Sequence, residues 1–186
     1  EKNINNLKES KNNILPKDKF NIVFAGNIGK AQDLRFVMKA ALKLYKLNKN
    51  IRFSFIGDGV ELKELKKFKI EKNIENIEFI PRVNSNEVGF YLKLADVLLV
   101  NLKDDNLFKI TIPSKIQTYL FSGKPILSNV SGDAKDLIEK AEAGITVSAG
   151  NIEDFVATCI RFANTEKNDL KNIGLNGKIF YEKNLS

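Results

Sequence analysis

The sequence predicts an α/β fold, a Rossmann-like parallel sheet of about six strands with helices on both faces. Three observations carry this. Short apolar runs rich in β-branched residues recur along the chain from Phe20 onward. Each is followed by a segment whose apolar residues return at helical spacing. Glycines and prolines stand at the junctions. Hydrophobic residues make up 43% of the 186, enough for a substantial core in one domain of the usual ~100–200 residues.

Taken in order, Phe20 to Ala25 reads as a buried strand closed by Gly26. Asp33 to Leu47 reads as a helix, with Leu34, Val37, Met38, Ala41, Leu42 and Tyr45 on one face. Ile51 to Ile56 is strand-like and ends at Gly57-Asp58-Gly59. Val60 to Lys72 returns to helical spacing through Leu62, Leu65 and Phe68. Ile77 to Ile80 is a strand stopped by Pro81, and Ser85 is placed to cap a helix running to Leu94. Val97 to Val100 is a strand. Pro113 to Ser122 is a helix with proline in its first turn, where the missing N–H costs nothing. Pro125 to Asn129 and Ile145 to Val147 are strands, separated by a short helix from Ala134 to Ala141. Asn151 and Asp154 have capping-box-like spacing and open a helix to Ala163. A last helix covers roughly Asn168 to Tyr181. Glu1 to Lys19 is polar and rich in Asn and Lys, so it reads as a linker ahead of a domain from Phe20 to Ser186.

Composition removes several chemistries. Histidine is absent, which excludes Ser-His-Asp and Cys-His arrangements and His-ligated zinc. Any general base would be a carboxylate, a lysine or a tyrosine. The lone Cys159 lies in an apolar helical pattern and reads as a core residue. No apolar run approaches the ~20 residues of a membrane span, and no signal-peptide pattern opens the chain. The expectation is a chain that is soluble as it stands and cytoplasmic. The net charge of +7 fits a cleft for anions, a surface facing anionic lipid, or a nucleic-acid partner. The lysines are scattered rather than striped and no nucleic-acid motif is present, which disfavours the third.

Three strand-to-helix loops carry the candidate chemistry, because ligands of such sheets bind at the carboxyl ends of the strands. The first is Gly26-Asn27-Ile28-Gly29-Lys30-Ala31-Gln32. Two glycines three apart allow a tight turn and a close approach to a ligand, and Lys30 adds a cation. On spacing alone, the loop is either a diphosphate cradle or a plain turn. It is not G-x-G-x-x-G, so the dinucleotide fingerprint does not apply. The second loop, Ile110 to Lys115, opens the helix at Pro113, where the amides of Ser114 and Lys115 and the Lys115 side chain would face an anion. An ordinary helix start is the alternative. The third, Ile80-Pro81-Arg82-Val83, offers an arginine that could stack on a base or simply be a surface residue. Asp104-Asp105 reads as a solvated or capping pair rather than a metal site, and Asp58 as a turn residue first.

The ordered series of these segments resembles a known family. It runs Phe24 to Gln32, Phe55 to Gly59, Pro81-Arg82-Val83, Ala95 to Val100, Thr111 to Lys115, Gly123 to Ile126, then Asn176-Gly177 and Tyr181-Glu182. It is similar to the C-terminal domain of retaining GT-B glycosyltransferases of family 4. Within them it is closest to bacterial enzymes of O-antigen and capsule synthesis, including N-acetylfucosaminyl transferases. The resemblance covers about residues 20 to 186.

The resemblance implies a nucleotide-sugar donor, a UDP-sugar above all, carrying a hexose or N-acetylhexosamine-type sugar. Its diphosphate would lie between Gly26, Asn27, Gly29, Lys30 and Gln32 on one side and Ser114 and Lys115 on the other. Its base would lie against Arg82 and the backbone of Val83. The family pattern has an arginine and a lysine where this chain has Asn27 and Gln32, which shifts the load to Lys30, Lys115 and backbone amides. It also has two glutamates spaced E-x7-E where this chain has Ile110 and Thr118, so Thr118 offers a hydroxyl in place of the ribose-binding carboxylate. No metal or other cofactor is implied, because cations and helix N-termini stabilise the leaving diphosphate. Catalytic side chains and the glycan or lipid-linked acceptor would belong to a preceding domain. The fragment alone would then bind nucleotide and transfer sugar poorly or not at all. Lipid-linked acceptors and the basic balance imply docking on the inner face of the cytoplasmic membrane. A nucleotide-sugar 2-epimerase half and a non-catalytic flavodoxin-like module are the competing readings. The first lacks candidate acid and base residues here, and the second lacks an acidic cluster at the ends of the early strands.

Overall fold

The computed structural model describes residues 15–105 and 112–186. Six strands form one sheet: β1 Phe20–Ala25, β2 Ile51–Ile56, β3 Ile77–Ile80, β4 Val97–Asn101, β5 Ile126–Asn129 and β6 Gly144–Val147. Every pairing is parallel and the order is β3-β2-β1-β4-β5-β6. The order reverses between β1 and β4, which opens a crevice at their carboxyl ends.

Seven helices complete the described fold: α1 Leu34–Leu47, α2 Leu62–Lys72, α3 Ser85–Leu94, α4 Ser114–Ser122, α5 Asp133–Lys140, α6 Ile152–Ala163 and α7 Lys167–Asn184. Alternation along β1 shows why both faces must be covered. Ile22 and Phe24 enter one core, with residues of α1, α2 and α6. Val23 and Ala25 enter the other, with residues of α3, α4 and α5. A strand buried on both sides has no polar face, hence the continuous apolar runs in the sequence. α7 joins the two layers. Its Leu170 packs in the first core, while Phe180, Tyr181 and Leu185 pack on the second. No helix among the described residues is long and apolar enough to cross a membrane.

The strands fall within a residue of where the sequence places them, and the larger differences lie at helix ends, α7 running to Asn184 rather than Tyr181. Asn84, not Ser85, caps α3, its side chain accepting from the Glu87 N–H at 3.0 Å. α2 begins at Leu62 rather than Val60. α4 begins at Ser114, and Pro113 is the cap residue with extended backbone rather than a first-turn residue. A 3-10 turn, Lys30–Gln32, precedes α1, and Asp33 joins the two in the left-handed region at φ 42°. Asn151 caps α6 as its spacing suggests, accepting from the Asp154 N–H at 3.1 Å. The N-terminal linker reading also changes at its end. Leu15 is buried in the second core, so the packed chain reaches back past Phe20. Ile110, Thr111 and residues 1–14 lie outside the described residues.

Candidate functional site

A cleft of about 600 Å³ opens at the reversal of strand order. Its walls are the ends of β1 and β2, the segment after β3, and the first turns of α4. Eight of the ten candidate residues line it: Gly26, Asn27, Gln32, Arg82, Val83, Ser114, Lys115 and Thr118. Residues as far apart as Gly26 and Thr118 therefore share one space.

Gly26 ends β1 at φ +150°, a conformation side chains rarely adopt. A β-carbon there would lie 2.8 Å from the Lys115 Nζ and 3.3 Å from its Cε. The missing side chain is thus the space the lysine fills. Gly57, at the end of β2 with φ +149°, is equally constrained, since its β-carbon would lie 1.9 Å from the Gly26 carbonyl oxygen. The two loops touch backbone to backbone.

Lys115 is the electrostatic centre of the cleft. It is the second residue of α4, at the positive end of the helix dipole. Its Nζ is buried and has no hydrogen-bond partner among the described residues. It lies 3.6 Å from the centroid of the Phe24 ring, whose face attracts a cation but accepts no full hydrogen bond. Burial without a counter-charge lowers its pKa from 10.5 to about 7. An anion beside it would restore the charged form. Thr118, three residues on, shares its face of α4.

The wall opposite α4 is held from behind. Tyr119 is buried, and its hydroxyl accepts from the Ala25 N–H at 3.0 Å and donates to the Ala25 carbonyl at 3.5 Å. This joins the end of β1 to α4. Burial raises the Tyr119 pKa, so the hydroxyl keeps its proton. Val88 and Leu92 of α3 add an apolar lining beside Val83. Asp58 keeps the turn role its neighbours suggest, accepting from the Gly59 N–H at 2.7 Å, and it also lines the cleft.

Two candidates fall elsewhere. Gly29 and Lys30 line a separate depression with Asp33, Arg35, Glu61 and Lys103, and Lys30 is exposed. Three of the loop's amides are already engaged within the protein. The Gly26 N–H donates to the Ile56 carbonyl, that of Ile28 to the Asp58 carbonyl, and that of Gly29 to Gln32 Oε1 at 3.1 Å. Amides already bonded within the protein are not available to an anion. The α4 start differs, because its first amides have no intrahelical partners. The cations that line the cleft are Lys115 on α4 and Arg82 after β3.

Sequence reasoning missed Tyr119, Phe24 and a buried pair, Asn101 and Asn129, at the ends of β4 and β5. Asparagine closing two apolar strands was the signal for the pair. Nothing local marked Phe24 or Tyr119.

Comparison with known proteins gives the family and the fold. The family model for glycosyl transferases group 1 matches residues 5–180. Over 105 residues the chain is 33% identical to "Probable glycosyltransferase WbjE" of Pseudomonas aeruginosa, a stretch that is 56% of this chain and 26% of that protein. The C-terminal domain of LpcC, a glycosyl transferase group 1 family protein of Francisella tularensis, superposes with a TM-score of 0.74 at 18% identity, covering 95% of this chain and 91% of that one. HepE of Anabaena, solved with UDP-glucose, superposes with a TM-score of 0.78 at 13% identity, covering 95% of this chain and 47% of that one. The structural likeness shows the fold, a Rossmann-like half of GT-B. The chain thus spans 47% of HepE, and its matched stretch 26% of the Pseudomonas relative. With the model matching nearly its whole length, the chain belongs to the glycosyl transferases group 1 family.

Proposed function

We propose that this chain is the donor-binding domain of a retaining glycosyltransferase that takes a UDP-sugar, of hexose or N-acetylhexosamine type, and serves surface-polysaccharide synthesis. The carrying observation is the buried Lys115 ammonium, without a hydrogen-bond partner among the described residues and aimed at the glycine end of β1. A charge with no counter-ion beside it among the described residues fits an anionic ligand. The leaving diphosphate lies against Lys115 and the amides of Ser114 and Lys115, with Gly26 and Gln32 as the facing wall. The base stacks near Arg82 and Val83, over the apolar lining of Val88 and Leu92. Thr118 meets the ribose.

In this reading, the chemistry this chain supplies is stabilisation of developing negative charge on the departing diphosphate. Fixed amides and one cation in a shielded cleft achieve this without a divalent metal. UDP therefore binds equally well in the presence of EDTA. The acceptor, glycan or lipid-linked, and the groups that act on the sugar belong to a partner domain ahead of this one, and the basic balance of this chain fits docking of the enzyme on the inner membrane face. UDP-bound relatives support the choice of nucleotide, since HepE and the Staphylococcus aureus TarM were solved with UDP-glucose and UDP.

Calorimetric titration of UDP, UMP, GDP and uridine into the chain tests the reading. UDP is expected to bind more tightly than uridine and to raise the melting temperature by mass action. No response to any nucleotide, or equal affinity for UDP and uridine, would sink it.

A further inference from the structure

A buried polar chain runs from the end of β5 into the loop after β1. Asn101 and Asn129 face each other across β4 and β5, each only 1% exposed. The Asn129 Nδ2 donates to the Asn101 Oδ1 at 2.9 Å. That contact favours the Asn101 amide with its NH2 toward the loop. From there the Asn101 Nδ2 donates to the Gln32 carbonyl at 2.7 Å and to the Asp33 carbonyl at 3.1 Å. The Lys103 N–H donates to the Ala31 carbonyl at 2.8 Å. Three successive carbonyls are thus held by the end of β4.

The residue types follow from the geometry. Asp33 is left-handed at φ 42°, a conformation that persists only where surroundings enforce it. Its neighbouring carbonyls need two hydrogens from one atom, which an amide NH2 has and a hydroxyl or carboxylate lacks. A flipped amide would set an oxygen against two oxygens and turn the Asn101 NH2 against the Asn129 NH2, so the Asn129 donor favours the observed orientation. Gln32 links this chain to the cleft. Its carbonyl is held by Asn101, its side chain lines the cleft, and its Oε1 accepts the Gly29 N–H.

We propose that Asn101, oriented by Asn129, is a positioning residue for the donor diphosphate: it holds Gln32 and Asp33 so that the Gly26–Gln32 loop keeps the shape that faces Lys115. This rests on the nucleotide-sugar reading of the cleft. Freed carbonyls near the phosphate path would repel an anion, whereas the base and ribose contacts lie on α4 and beyond β3.

The test compares UDP and uridine affinities in the wild-type chain, Asn101→Leu, Asn129→Leu and the double variant. Asn101→Leu is expected to weaken UDP about tenfold and to leave uridine within about twofold. Asn129→Leu should weaken UDP about threefold, with the double variant no worse than Asn101→Leu, because one residue acts through the other. Equal losses for UDP and uridine, additive losses, or unchanged UDP binding in either single variant would overturn the inference. If Asn101→Leu does not fold, Asn129→Leu decides, since it leaves the Asn101 donors in place. A wild-type chain with no preference for UDP over uridine would overturn the cleft reading and the inference with it. A preference kept by wild type and variants alike overturns the inference alone.

Discussion

The ammonium of Lys115 rests on the face of the Phe24 ring, 3.6 Å from its centroid, with no hydrogen-bond partner among the described residues. An aromatic face replaces little of the water an ammonium loses, so the charged lysine opposes the folded state until a ligand arrives.

Replacing Lys115 with methionine therefore separates stability from binding. The folded chain releases this proton near pH 7, and the unfolded chain near the ordinary 10.5. Between those values the unfolded chain binds more protons, so wild-type stability rises with pH across that window. Below about pH 7 the cost of the buried charge is complete. Lys115→Met is expected to gain about 1–3 kcal/mol at pH 6 and to flatten the rise, read from urea melts at a series of pH values. Its affinity for UDP falls at least about tenfold while uridine changes little.

Lys30→Ala is the matching control. Lys30 is exposed and lines the neighbouring depression, so its charge is screened from the cleft. UDP affinity at ordinary salt is expected to stay within about twofold of wild type. A larger loss in the same titration would return Lys30 to the diphosphate.

Tyr119→Phe removes one hydroxyl and leaves the buried Ala25 N–H without its acceptor. The expected loss is about 1–3 kcal/mol in a denaturant melt, with the fold retained.

Gly57→Ala places a methyl 1.9 Å from the Gly26 carbonyl oxygen, where only backbone can yield. The expected cost is about 3 kcal/mol, and UDP affinity should fall with it because Gly26 moves. The circular dichroism melt and the UDP titration read the two effects.

Much of the fold was legible because its strands are buried on both faces and its helices on one, so apolar runs and helical spacing alternate without ambiguity. The α4 start was legible to within one residue, since proline before Ser114 and Lys115 marks a helix N-terminus but leaves open whether it is the cap or the first turn. Helix starts elsewhere depend on which polar side chain turns back, and Asn84 does so where its neighbour Ser85 does not. The side of a loop on which a residue falls was not legible. Lys30 follows Gly29 directly, yet the 3-10 turn carries it out of the cleft. Tyr119 on Ala25 and Asn101 on Gln32 join positions 94 and 69 residues apart, and no local pattern encodes such pairs.

The contact of Gly57 with Gly26 has a dynamic consequence. Two loops that touch main chain to main chain cannot shift independently, and β1 and β2 carry them on six paired residues. This wall is preorganised. A ligand meeting it loses little free energy to freezing the protein, so affinity reflects the contacts made rather than disorder removed. Because the Tyr119 hydroxyl also ties α4 to the end of β1, the facing wall shares this rigidity and the cleft keeps its width.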